Sequence, residues 1–185
     1  EHKRLLVAGQ ASAALLEMFR REREAVGMRW FSRALDLHLP AKSSRAHHRL
    51  LYQQWDTLLA EAPGRVERST AEALHQIAEA TPRRSLVMVF SDMLDRDDAE
   101  GEALLAALQH LRHNKHEVVV FHVLDGSTEG EFAFEDRPTL FTDLETGEEL
   151  RLHPGEVREA YRTSMKALRS NLELRCAQYG IDLVD

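Results

Sequence analysis

A continuous apolar run, Leu86-Val87-Met88-Val89-Phe90, stops abruptly at Ser91-Asp92. A strand with one solvated face would alternate. An unbroken run of β-branched and bulky side chains reads instead as a strand buried on both faces, the mark of a parallel sheet. A second such run, Val118-Val119-Val120-Phe121, lies within a strand-like stretch from His116 to Val123. Between the two, residues 99–113 carry a helical pattern, with Asp97 or Asp98 placed to cap it. Strand, helix, strand at this spacing is a βαβ unit, so the two strands should be adjacent and parallel. Ligands of open α/β sheets sit at the carboxyl ends of the strands, which makes Ser91 and Asp92 the first candidate site. A hydroxyl and a carboxylate there suit a hard cation. They equally suit the backbone donors of a turn.

The rest of the chain supports the same class. Residues 3–24 have an apolar helical face, Leu5, Leu6, Ala8, Leu15, Leu16 and Phe19, closed by the polar run Arg20 to Glu24. Residues 25–31 and 34–39 read as strands joined by a turn at Ser32-Arg33, a hairpin that Pro40 ends. Ser43 or Ser44 caps a helix over 45–61 with Leu50, Leu51, Trp55, Leu58 and Leu59 on one side, and Pro63-Gly64 breaks it. Ser69 or Thr70 opens another helix, to Ala80. Residues 125–153 are less regular, and Thr146-Gly147 between two short strand-like runs predicts a hairpin there. Pro154 precedes the longest helical pattern, about 155–179. Gly180 stops it, and Ile181 to Val184 begins a last strand.

Composition narrows the partners. The 185 residues are 43% hydrophobic and 30% charged, with a net charge of −7. That balance is globular, and the excess of acid disfavours a phosphate backbone as a general partner. One cysteine, Cys176, excludes an internal disulfide framework and fits a reducing compartment. No apolar run reaches the about 20 residues needed to span a bilayer. The expectation is therefore a cytoplasmic chain that contacts neither nucleic acid nor membrane.

Four segments together carry a resemblance. They are Glu24-Ala25-Val26-Gly27 with Phe31; Ala71 to Glu79 with Arg83-Arg84-Ser85-Leu86 and Phe90-Ser91-Asp92; Val118-Val119 through Asp125; and Phe141 to Glu148. The chain resembles the C-terminal, von Willebrand factor A-like portion of the bacterial domain-of-unknown-function family fifty-eight. The resemblance implies a Rossmann-like three-layer α/β sandwich, with a mostly parallel sheet and an antiparallel edge hairpin. It also implies an interaction module, often paired with a MoxR-type AAA+ ATPase. On this reading residues 1–185 form a single domain belonging to a longer protein, with 125–153 as a hairpin insertion. The family's metal-adhesion site has an Asp-x-Ser-x-Ser loop, a later Thr and an Asp after the fourth strand; only the last is matched, by Asp92. Arg68 stands where the Thr aligns, with Ser69 next to it. A guanidinium there supplies charge instead of an oxygen ligand and can pair with Asp92. The resemblance thus implies a degenerate metal site at Asp92, no cofactor, and magnesium only if the loop is supplied from elsewhere.

Other patterns compete. His110, His113 and His116 have a spacing that suits a transition metal or, equally, a solvated helix end. The adjacent pair His47-His48 carries the same two readings. Ser91, His122 and Asp92 could form a hydrolase triad, although the Gly-x-Ser-x-Gly elbow is absent, as are phosphate-loop and dinucleotide glycine motifs. The expectation is a non-enzymatic module with no catalytic residues, docking a AAA+ ATPase through Ser91, Asp92, Asp95, Arg68 and Ser69. The alternative is a hydrolase using Ser91, Asp92 and a histidine.

Overall fold

The computed structural model describes residues 2–31, 36–60, 70–93, 101–142, 147 and 149–184. The chain divides into two compact units, Glu1–Arg68 and Ser69–Asp185. Among the described residues no helix is long and apolar enough to cross a membrane.

The first unit contains helix α1 (His2–Glu22), strands β1 (Val26–Phe31) and β2 (Asp36–Lys42), and helix α2 (Arg45–Ala60). Ser44 caps α2: its Oγ accepts the His47 N–H at 3.2 Å. The strands form the expected antiparallel hairpin, with Met28 opposite Leu39 and Trp30 opposite Leu37. Pro40 does not end it, however. The strand runs through to Lys42, because the register shifts between Val26 and Met28. This irregularity takes up a residue that has no N–H to give to the ladder. Gly27 lies opposite it, where a Cβ would stand 2.8 Å from the Leu39 carbonyl and 2.9 Å from the Ala41 nitrogen. Leu16, Leu51 and Trp55 form the core of this unit, with Val26, Met28, Trp30 and Leu39 packed on them. Trp30 and Trp55 meet edge to face at 5.5 Å. His47 and His48 are buried; His47 Nε2 donates to the Val26 carbonyl at 2.8 Å and ties α2 to β1.

The second unit is the α/β body. It runs α3 (Thr70–Ala80), β3 (Leu86–Ser91), α4 (Glu102–His113), β4 (Glu117–His122), a π-helical turn (Gly126–Gly130), β5 (Thr139–Thr142), β6 (Glu149–Leu152), α5 (Pro154–Tyr179) and β7 (Asp182–Val184). β3, β4 and β7 form a parallel sheet in that order. β3 and β4 pair in register from Leu86 opposite Glu117 to Ser91 opposite His122, as the two apolar runs predict. The expected hairpin also forms, with Thr142 opposite Glu149, but β5 and β6 make a two-stranded sheet of their own.

Both connections of the sheet step in the same direction, and right-handed crossovers then place their helices on one face. The core reflects this. Val89, Val118 and Val120 pack with Leu104, Leu105, Leu108 and Leu111 of α4, Leu74 and Ala78 of α3, and Leu172 and Cys176 of α5. The other face carries Leu86, Met88, Phe90, Val119, Phe121 and Val184. None of them joins this core; Leu86 is 45% exposed and Val184 42%. Phe90 and Phe121 stack on that face at 4.5 Å, only 5° from parallel. The expectation that β3 is buried on both faces is thus corrected: of its six residues only Val89 is buried. The hydrophobic run is real, but the described helices of this unit cover one side of it.

Arginines fasten the ends of the helices. Arg112 donates from Nη1 to the His116 carbonyl at 2.7 Å and from Nε to the Tyr179 carbonyl at 3.2 Å. It therefore joins the end of α4, the start of β4 and the end of α5. Gly180 follows in the left-handed region, at φ 65°, as the expected stop of α5. Asn114 Nδ2 donates to the Ala78 carbonyl at 2.9 Å and links the ends of α4 and α3. On the far side of α5, Arg158 donates to the carbonyls of Phe132 and Phe134, and Arg162 to that of Glu131. Phe132, Phe134, Phe141 and Tyr161 cluster beside them. The irregular segment after β4 is held by these two arginines and four rings.

Candidate functional site at the carboxyl end of the parallel sheet

β3 and β4 end side by side, and the chain turns immediately after Ser91. The turn is tightly held. Ser91 Oγ accepts the Met93 N–H at 3.0 Å. Met93 sits in the left-handed region, at φ 55°, with its side chain buried. Left-handed backbone is unfavourable for a non-glycine residue and persists where the surroundings fix it. His122, at the end of β4, is buried and lies 3.0 Å from the Asp92 carbonyl through Nε2. A carbonyl only accepts, so Nε2 carries the hydrogen. The Ser91 hydroxyl is thus used by the turn, and His122 faces the backbone of Asp92. This is not the base-to-nucleophile geometry of a Ser-His pair.

The strand ends open beside a cleft of about 320 Å³. Met93, Leu104, Leu105 and Leu172 supply a buried apolar floor. Arg162, Lys166 and Arg169 line it from α5, spaced so that they share one face of the helix. Arg162 pairs with Glu131 at 2.6 Å and Arg169 with Glu173 at 2.9 Å. Lys166 has no ion-pair partner among the described residues. The π-helical turn forms part of the same rim. Its entry is fixed by Asp125, whose N–H donates to Glu129 Oε2 at 2.9 Å and whose Oδ1 accepts the Thr128 N–H at 3.3 Å. The cleft thus joins an apolar floor to a rim of mixed charge, Glu131 beside the three cations, at the position where α/β sheets bind ligands.

Of the residues expected at the site, Ser91 and Asp92 are placed here. Asp95, Arg68 and Ser69 lie outside the described residues, as do the proposed helix caps Asp97 and Asp98. The Arg68–Asp92 pairing expected from the sequence falls there too. The lining residues of α5 were not singled out in the sequence; the signal that could have found them is the i, i+4, i+7 spacing of Arg162, Lys166 and Arg169 beside Met165 and Leu168.

The histidines separate. His116 is fully buried, and its Nδ1 accepts the Ser85 N–H at 3.2 Å; burial pushes its pKa below the ordinary value. His113 is exposed. His110 meets neither of them. It contacts His75 of α3, with the two Nδ1 atoms 3.0 Å apart, and Glu79 through Nε2, also at 3.0 Å. The spacing His110, His113, His116 therefore brings no ligand set together, and among the described residues no three His, Cys, Asp or Glu side chains converge as metal ligands.

No curated protein and no solved structure matches the chain. The model of a family described as "Protein of unknown function DUF58" matches residues 1–171, which takes in the first unit, most of the second, the Ser91-Asp92 turn and most of the cleft lining. With so much of its length accounted for, the chain belongs to the DUF58 family.

Proposed function

We propose that this chain is a non-enzymatic docking module that works in the cytoplasm with a MoxR-type AAA+ ATPase. The observation that carries the reading is the fixed turn Ser91-Asp92-Met93 beside an apolar cleft with a charged rim, at the carboxyl end of a parallel sheet. A site built for recognition presents preorganised groups around an apolar floor. The resemblance to the DUF58 family supports the choice of partner. The side chain of Asp92 and the ammonium of Lys166 offer charges of both signs within the same region, which favours a mixed, partly apolar protein surface over nucleic acid.

The experiment is capture of a co-expressed AAA+ ATPase by this chain. Charge reversal by Asp92→Lys together with Asp95→Lys, and separately by Lys166→Glu, should each lower the captured amount about tenfold or more, as truncation of a central interface contact does. Far-ultraviolet circular dichroism and an unchanged melting temperature would show that each variant is folded. Capture indifferent to both folded variants, or no capture with the unsubstituted chain, overturns the proposal.

A further inference from the structure

His75 and His110 meet on neighbouring helices in a geometry that the docking reading does not use. We infer that they form a two-histidine site for a divalent transition-metal ion, bridging α3 and α4. The Nδ1 atoms stand 3.0 Å apart, with ring centroids at 5.2 Å and planes inclined by 45°. Two imidazole nitrogens in adjacent positions on one ion, each about 2.0–2.1 Å from it, lie about 3 Å apart. The spacing thus already matches the edge of a coordination polyhedron.

The other nitrogen of His110 explains which atom is offered. Glu79 Oε1 is 3.0 Å from His110 Nε2. A carboxylate accepts, so Nε2 holds a hydrogen, and in the neutral ring Nδ1 then keeps its lone pair. A carboxylate behind a histidine is the arrangement that fixes tautomer and ring orientation at metal sites. In the metal-free state His75 donates its Nδ1 hydrogen to His110. Moving that hydrogen to His75 Nε2 frees the second lone pair, with no net gain or loss of protons. Glu79 lies four residues after His75 on α3, so one helix supplies a ligand and the group that orients the opposing ligand.

Access and anchoring also fit. The His110 side chain is 27% exposed and that of Glu79 73%, so an ion reaches the pair directly and water completes its coordination. The helices are fixed one turn further on by the Asn114–Ala78 hydrogen bond. Imidazole suits zinc, copper and nickel, and a near-right-angle nitrogen pair with open positions favours nickel(II) or copper(II).

Calorimetric titration of the full chain with nickel(II) tests this. One saturable site is expected. His75→Ala and His110→Ala should each abolish it, Glu79→Gln should weaken it about tenfold, and His113→Ala, one turn along the same helix, should leave it intact. Nickel should also raise the melting temperature of the parent chain and of His113→Ala but not of His75→Ala. That readout stands even where an alanine variant is less stable. Absence of saturable binding, or binding that survives the loss of either His75 or His110, overturns the inference. An affinity unaltered in Glu79→Gln overturns the role given to Glu79.

Discussion

His122 Nε2 stands 3.0 Å from the carbonyl oxygen of Asp92, so the last residue of one strand fastens the turn that follows its neighbour. Both strands end at the same level because Ser91 and His122 are register partners. Replacing His122 with Ala leaves a carbonyl without this donor and opens a gap at a buried position. The expected loss of stability is about 1–3 kcal/mol, measured by urea denaturation. Capture of the AAA+ ATPase proposed as partner should fall as well, because the turn would keep only the Ser91–Met93 hydrogen bond of the two that fix it. A variant as stable as the parent would show that the turn is fixed by other groups.

His116 makes folding sensitive to acid. Its Nδ1 already accepts the Ser85 N–H, and burial lowers its pKa from the ordinary 6.5. The unfolded chain takes up a proton as the pH drops through 6.5, while the folded chain resists. Stability associated with His116 is therefore complete above pH 6.5 and is lost as the pH falls below it. Comparing His116→Gln with the parent at pH 7.5 and 5.5 cancels the other histidines. The parent's slope should be the steeper, by at most about 1.4 kcal/mol per pH unit. Equal slopes would mean that His116 can be protonated in place.

Cys176 should be chemically silent in the folded chain. It is 1% exposed inside the core beside α4, and burial pushes its thiol pKa up to about 11. The thiolate is the reactive form. Labelling by a disulfide reagent near pH 8 should be roughly 100-fold slower than in denaturant. Rapid labelling of the native protein would show that α5 detaches readily from the sheet.

Magnesium should not bind at Asp92. The ion asks for near-octahedral oxygen coordination. Ser91 Oγ is engaged by the Met93 N–H, and among the described residues no acidic or histidine cluster surrounds the turn. Calorimetric titration of this chain with magnesium is expected to show no saturable heat. Binding that disappears in Asp92→Ala would refute this.

The α/β body was legible because its signals are local. The runs ending at Phe90 and Phe121 give the paired strands, and Pro154 and Gly180 bracket α5. What stayed hidden depends on how elements meet. Nothing near Leu86 tells that one face of its strand lies outside the core, since a hydrophobic run reads alike whether one side is covered or two. Pro40 looks like a strand end until Gly27 is seen opposite the register shift. His110 pairs with His75, and Arg158 and Arg162 hold carbonyls of the segment from Glu131 to Phe134, through contacts with no periodic trace in sequence. At the candidate site, Ser91 and Asp92 could be named in advance because strand ends are positions of known use. The spacing of Arg162, Lys166 and Arg169 marks one face of α5, but that this face lines the cleft shows only once the chain has folded back.

The two hydrogen bonds of Arg112 close loops of very different length. Its bond to the His116 carbonyl closes within a few residues and becomes available once α4 and β4 adjoin. Its bond to Tyr179 waits until the whole length of α5 has been laid down and returned, and loop closure over that distance is the slower event. One guanidinium therefore secures both a local and a long-range closure of the chain. β7 begins three residues after Tyr179, so the guanidinium that closes the α4–β4 turn also tethers the chain just before the third strand of the sheet.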